Sequence, residues 1–127
     1  MSESVKILFV EDSEDDALLM IHCLDGICAD IEHQRVESKE ELVDVLKDDK
    51  WDLIITDNAM PQLTGIEVIQ LIRKKGIIVP IICVSGTDMG NYNQECLDAG
   101  AVAFILKDNF DELRKVVEKI INELFTN

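Results

Sequence analysis

The stretch Leu53-Ile54-Ile55-Thr56-Asp57-Asn58-Ala59-Met60-Pro61 decides how the chain is read. The apolar run from Leu53 to Thr56 reads as a strand buried on both faces, the pattern of a central strand in a parallel sheet. It climbs to a single carboxylate, Asp57, and stops. Pro61 lies shortly beyond and forces a loop. An aspartate at the carboxyl end of such a strand points into the crevice where open α/β sheets bind ligands. The same aspartate could do no more than cap the loop, so the flanking chain has to decide.

On the amino-terminal side, Val5 to Val10 reads as a strand, with Glu11 and Asp12 at its end. Ser13 can cap a helix whose first turn holds Glu14, Asp15 and Asp16, favourable at the positive end of the dipole. Ala17, Met20, Ile21 and Leu24 share one face of that helix, and Gly26 ends it. Ile31 to Val36 is a polar strand suited to a sheet edge. Ser38 and Glu41 form a capping box for a second helix, with Leu42, Val45 and Leu46 inside. On the carboxyl side, Thr64 caps a third helix with Val68, Ile69 and Ile72 inward. Arg73, Lys74 and Lys75 fill its last turn as a solvated basic end, and Gly76 stops it. Ile81 to Val84 is a fourth strand, closing at Ser85-Gly86-Thr87. Residues 89 to 98 make a poor helix, because Gly90, Asn91 and Asn93 are all unfavourable. Ala101 to Leu106 is a fifth strand, ending at Lys107. Asp108 or Asn109 caps a final helix with Leu113, Val117, Ile120 and Leu124 on one stripe. This regular alternation predicts an α/β fold, a parallel sheet with helices on both faces and right-handed crossovers.

Composition narrows the function. The 127 residues suffice for one domain with a sizeable core, and 47% hydrophobic residues argue against disorder. A net charge of −14 disfavours nucleic acid and anionic membrane surfaces and suits cations or basic partners. No apolar run approaches membrane-spanning length, and the amino terminus lacks the regions of a signal peptide. Cys23, Cys28, Cys83 and Cys96 form no CxxC pair, so a zinc site is not expected. A reduced, cytoplasmic compartment is the simplest reading, with Cys83 as a buried thiol.

The predicted strand ends collect Glu11, Asp12, Asp57, Ser85 and Lys107 at one edge of the sheet. Carboxylates packed together repel, so at least one pKa should rise unless a counter-ion is present. Mg²⁺ suits such a site, since it takes a few carboxylates and keeps several waters. Lys107 is a point charge able to reach an anion's oxygen, and Ser85 adds a hydroxyl donor. Metal, lysine and hydroxyl around a lone carboxylate are the equipment of phosphoryl transfer, which needs neutralised oxygens and an in-line nucleophile. Asp57 is the best candidate nucleophile because it sits centrally.

Glu11-Asp12 after the first strand, Asp57 with Met60-Pro61 and Gly65, Ser85 after the fourth strand and Lys107 after the fifth resemble the receiver domain of two-component response regulators, chemotaxis-regulator-like. The likeness runs over essentially the whole chain, 1–127, as a single receiver. It implies a flavodoxin-like, doubly wound sheet of five parallel strands in the order 2-1-3-4-5, with five helices. It implies a phosphoprotein rather than a conventional enzyme. Asp57 would take a phosphoryl group from the phosphohistidine of a sensor histidine kinase or phosphotransfer protein. Mg²⁺ would be held by Asp12, Asp57 and the backbone carbonyl of Ala59, with Glu11 assisting. Ser85 and Lys107 would hold phosphoryl oxygens, Phe104 occupies the aromatic switch position, and the 89–127 face would pass the signal to a downstream partner or fused output domain. One helix follows Lys107, so no DNA-binding or enzymatic output unit is expected there.

Two departures stand out. Asp108 replaces the proline common after the lysine, which makes a cis bond there unexpected. Ala59 and Thr87 fill positions that tune dephosphorylation in that family, and an alanine side chain positions no water. Other functions fit less well. A flavodoxin-type carrier needs a phosphate-receiving loop after the first strand, where Glu11-Asp12-Ser13-Glu14-Asp15-Asp16 would repel it. A haloacid-dehalogenase-type phosphatase needs Asp-x-Asp, and Ala59 stands at the second acid. A degenerate receiver that only binds partners would not need the acidic pair, Asp57 and Lys107 together.

Overall fold

The structure, a computed structural model, describes residues 4–28, 30–48, 50–87 and 91–125. Its chain order is β1 (Ser4–Val10), α1 (Glu14–Cys23), β2 (Asp30–Val36), α2 (Lys39–Val45), β3 (Leu53–Asp57), α3 (Gly65–Lys74), β4 (Ile81–Ser85), α4 (Tyr92–Ala99), β5 (Ala103–Leu106) and α5 (Phe110–Leu124). The strands form one sheet in the order β2-β1-β3-β4-β5, every neighbouring pair parallel. This is the doubly wound, flavodoxin-like α/β fold expected from the sequence. β3 and β4 are buried at every position, while the polar β2 lies at an edge.

Side-chain alternation sorts the core into two layers. Val5, Ile7 and Phe9 of β1, Leu53 and Ile55 of β3, Ile82 and Val84 of β4 and Ile105 of β5 pack with Met20 and Leu24 and with Leu113, Val117 and Ile121 of α5. The opposite positions, including Leu8, Val10, Ile54, Ile81 and Cys83, pack with α2, α3 and Cys96 of α4. So α1 and α5 cover one face and α2, α3 and α4 the other.

The helix starts follow from local chemistry. Ser13 Oγ accepts the Asp16 N–H at 3.1 Å, Ser38 Oγ that of Glu41 at 3.1 Å, and Asn109 Oδ1 that of Glu112 at 3.3 Å. The last of these selects Asn109 over Asp108 as the cap of α5. Thr64 and Glu67 form a full capping box on α3. The box expected at α2 is shifted by one residue: the Glu41 carboxylate accepts from the backbone N–H of Glu37 at 3.0 Å.

Four expectations need correction. The fifth strand begins at Ala103, not Ala101, because the Ala101 N–H bonds back to Cys96 and closes the end of α4. The fourth helix runs Tyr92–Ala99, and residues 89 and 90 of the expected segment lie outside the described residues. Asn91 caps it without a side-chain hydrogen bond, in keeping with its poor composition. On α5 the buried stripe is Leu113, Val117 and Ile121, with Ile120 half-buried and Leu124 exposed. At about 1.5 Å per residue α5 runs about 22 Å, longer than the about 13 Å of β5.

Arg73 is the fourth correction. It is not a solvated residue of a basic helix end but a clamp. Its guanidinium donates to the carbonyls of Gly100 at 2.8 Å, Val79 at 2.8 Å and Ile77 at 2.9 Å. It thereby ties the end of α3 to the start of β4 and to the α4–β5 turn. Gly100 makes room for it: φ is +122° there, and a Cβ would meet Arg73 Nε at 3.0 Å. Lys74 and Lys75 are exposed as expected.

Candidate functional site

Strand parity places the charged groups. Glu11 continues the alternation of Ile7 and Phe9, Asp57 that of Leu53 and Ile55, and Lys107 that of Ile105. All three therefore emerge on the face covered by α1 and α5. Register brings their strands level. Val10 pairs with Thr56, Asp57 with Val84, and the Lys107 N–H donates to the Ser85 carbonyl at 2.8 Å.

The result is a compact ionic cluster. Carboxylate oxygens of Glu11, Asp12 and Asp57 lie within 4.8 Å of one another. Lys107 Nζ lies 2.8 Å from Glu11 Oε1, 2.8 Å from Asp16 Oδ2 and 3.4 Å from Asp57 Oδ2. Glu11 and Asp57 are buried and Asp12 is exposed at the mouth. The loop after β3 also shapes the site. The Ala59 N–H donates to Asp57 Oδ1 at 3.2 Å, Ala59 bridges to Thr64, and the Gly65 N–H donates to the Asn58 carbonyl at 3.0 Å.

The electrostatics follow first from burial and then from crowding. Burial raises the Glu11 carboxyl from its ordinary 4.5 to about 7, with the charge of Asp57 pushing the same way and Lys107 opposing. A raised pKa in the acidic group is what the sequence predicts for carboxylates without a counter-ion. Burial alone would pull the Lys107 amine down. Its contacts with Asp16 and Glu11 and the charges of Asp57 and Glu11 outweigh that and hold it above its ordinary value.

Glu11 Oε1 is the atom that tests whether a divalent cation fits. It is buried and has no hydrogen-bond partner. Lys107 approaches it as an ion pair, but not in hydrogen-bond alignment. A buried carboxylate oxygen met only by an ammonium ion pair, beside two further carboxylates, is a hard donor set, which fits Mg²⁺.

A family model described as "Response regulator receiver domain" matches residues 7–118. The chain belongs to this family. The receiver is 30% identical over 128 residues to the autoinducer 2 sensor kinase/phosphatase LuxQ of Vibrio parahaemolyticus, covering 98% of this chain and 14% of that protein. It is 30% identical over 106 residues to the response regulator MprA of Mycobacterium bovis, covering 82% of this chain and 44% of MprA. The receiver thus spans less than half the length of either relative. Among solved structures it resembles the response regulator domain of Thermotoga maritima CheB, at 28% identity and a TM-score of 0.76, covering 98% of each chain. A two-component response regulator from Clostridium difficile shares the fold at 20% identity, with a TM-score of 0.82 and 96% and 99% coverage.

Glu11, Asp12, Asp57 and Lys107 of the receiver come together. Ser85 stands apart. It continues the alternation of Ile81 and Cys83, so it emerges toward the α3–α4 face, and its hydroxyl donates to the Thr87 carbonyl at 2.6 Å. Phe104, in register with Cys83, is half-buried against the same layer. Ala59 touches Asp57 through its amide. The residue that sequence reasoning missed is Asp16, whose place in the acidic first turn of α1 marks it only as a complement to the helix dipole. No helical spacing ties it to Asp12, which precedes the extended cap Ser13; the Lys107 ammonium at 2.8 Å is what joins it to the site. Among the described residues no helix is long and apolar enough to cross a membrane.

Proposed function

We propose that the chain, residues 1–127, acts as a single receiver unit in which Asp57 accepts a phosphoryl group from the phosphohistidine of a histidine kinase or phosphotransfer protein. The observation that carries this reading is the position of Asp57. It is buried at the end of the central strand, with carboxylates of Glu11 and Asp12 within 4.8 Å and Lys107 Nζ at 3.4 Å. An Asp57 oxygen forms the new O–P bond as the N–P bond breaks, and the donor imidazole leaves with the bonding electron pair. The chain's catalysis is limited to its own phosphorylation and dephosphorylation.

Glu11, Asp12, Asp57 and the Ala59 carbonyl would hold Mg²⁺. When bound, the ion neutralises negative charge on the transferring group. The Ala59 amide orients Asp57 through Oδ1. Lys107 reaches a phosphoryl oxygen by trading away its contact with Glu11. Ser85 turns from the Thr87 carbonyl to the phosphoryl group, and Phe104, on the same face, follows into the space it leaves. The downstream consequence is a shift of the 89–127 face toward a protein partner or fused output domain. The acidic surface and the kinase-linked relatives support protein partners in the cytoplasm, with neither nucleic acid nor membrane bound by this domain.

Incubation with a small acyl phosphate tests the reading. Stoichiometric labelling is expected with Mg²⁺ and none in Asp57→Asn. Equal labelling of the variant, or labelling in the presence of a chelator, would contradict it.

A further inference from the structure

Asp16 makes the only aligned side-chain hydrogen bond to Lys107 among the described residues, accepting from Nζ at Oδ2 over 2.8 Å. Glu11 is as close, but as an ion pair without that alignment, and Asp57 stands off at 3.4 Å. We propose that Asp16 is a positioning residue. It draws the Lys107 ammonium toward the rim of the site, beside Glu11 and off Asp57, so that Asp12 and Asp57 are free to take a divalent cation. This rests on the magnesium-dependent phosphoacceptor reading above.

The argument is one of competing charges. A lysine bonded only to Glu11 and Asp57 occupies, with its own charge, the place a cation needs. Asp16 offers an anionic partner outside that place. Its side chain is 41% exposed, against 1% for Glu11 and 5% for Asp57. Its backbone is fixed in the first turn of α1 by the bond to Ser13 Oγ. A lysine on a flexible stem gains definition from such an anchor. The ammonium has three donors, so it keeps Asp16 while exchanging Glu11 for a phosphoryl oxygen. Asp15 supplies the control. It carries the same charge one residue earlier, is exposed, and lines a different surface with Leu18 and His22.

The test is calorimetric titration of the full chain with Mg²⁺ alone, for Asp16→Asn and Asp15→Asn, each with and without Lys107→Gln. Both substitutions remove one nearby negative charge, but only the first removes the ammonium's anchor. Asp16→Asn should weaken binding about threefold to tenfold and Asp15→Asn less than about twofold. With Lys107→Gln present, the Asp16→Asn effect should fall to that of Asp15→Asn, as expected for coupled neighbours. Asp16→Glu should recover part of the loss. In the metal-free protein, the Lys107 ammonium ¹⁵N signal, identified by its absence in Lys107→Gln, should be sharp in the parent and in Asp15→Asn. It should be broadened by solvent exchange in Asp16→Asn. Equal weakening by the two single variants, or an Asp16→Asn effect that persists without the lysine, would overturn the proposal and leave the phosphoacceptor reading standing. Absence of saturable Mg²⁺ binding in the parent would overturn both.

Discussion

Glu11 carries the sharpest conflict in the site, a fully buried carboxyl beside two other acids with one lysine to share. Burial and Asp57 raise its pKa from 4.5 to about 7. A carboxyl raised in the folded state contributes stability that is complete below 4.5 and lost as pH rises through about 7. The metal-free protein should therefore lose on the order of 3 kcal/mol from this group between pH 4.5 and pH 8. Lys107, held above its ordinary value, keeps its contribution throughout that window. Glutamine mimics the protonated acid, so the stability of Glu11→Gln relative to the parent should rise with pH, as read by urea denaturation at pH 5 and pH 8 in chelator. A pH-independent difference would contradict the assignment. Most of the cluster was readable in the sequence because strand ends are easy to locate and Glu11, Asp12, Asp57 and Lys107 each follow an apolar run. Asp16 was not, because its role depends on where a flexible lysine from the far end of the chain comes to rest. The orientation of Ser85 was also hidden, since proximity in a list of strand ends ignores which face each residue leaves from.

The elements were the most readable level, and the exceptions have physical causes. Caps at Ser13, Ser38, Thr64 and Asn109 form where short polar side chains precede acidic first turns. Arg73 misled because a basic helix terminus is ordinarily solvated, whereas here three carbonyls from two loops need donors. Arg73→Met should cost about 1–3 kcal/mol, while Lys74→Met, exposed and one residue away, should stay within about 0.5 kcal/mol. Comparable losses for both in urea denaturation would refute the clamp. Gly65 marks a second close junction, between the β3–α3 loop and the core. A Cβ there would meet Asn58 Cα at 2.9 Å and Cys83 Sγ at 3.0 Å. Cys83 and Cys96 are themselves in contact, Sγ to Sγ at 3.2 Å, so the neighbours have little room to yield. Gly65→Ala should cost about 1–3 kcal/mol through overpacking. It should also weaken Mg²⁺ binding, because Asn58 adjoins Asp57. Unchanged unfolding and binding would show that the loop relaxes freely.

Across the whole molecule the sheet separates a chemical edge from a quiet one. Trp51 precedes Asp57 by six residues along an extended segment, roughly 20 Å at about 3.3 Å per residue. It is buried, with its indole N–H donating to the Val45 carbonyl at 3.3 Å. Its fluorescence should change little on Mg²⁺ titration, and strong saturable quenching would place the metal elsewhere. On the active side, Ser85 and Phe104 lie on the face that also holds α4, the helix whose cap lacks a side-chain hydrogen bond. Weak elements shift at least cost, so hydrogen exchange with a beryllofluoride phosphoryl mimic should change across residues 91–106. Changes confined to 13–47 would put the output surface on the other side. Parallel topology was expected from the alternation and strand order from the family likeness, whereas the exposure of Leu124 at the end of α5 required the structure. All of this depends on Asp57 being the phosphoacceptor. The most direct measurement is reduction of the phosphorylated protein with borohydride, which converts an aspartyl phosphate to homoserine, followed by peptide mass spectrometry. The account predicts homoserine at position 57. Homoserine at position 12 instead, or a reduced glutamyl product at position 11 with Asp57 intact, would contradict it.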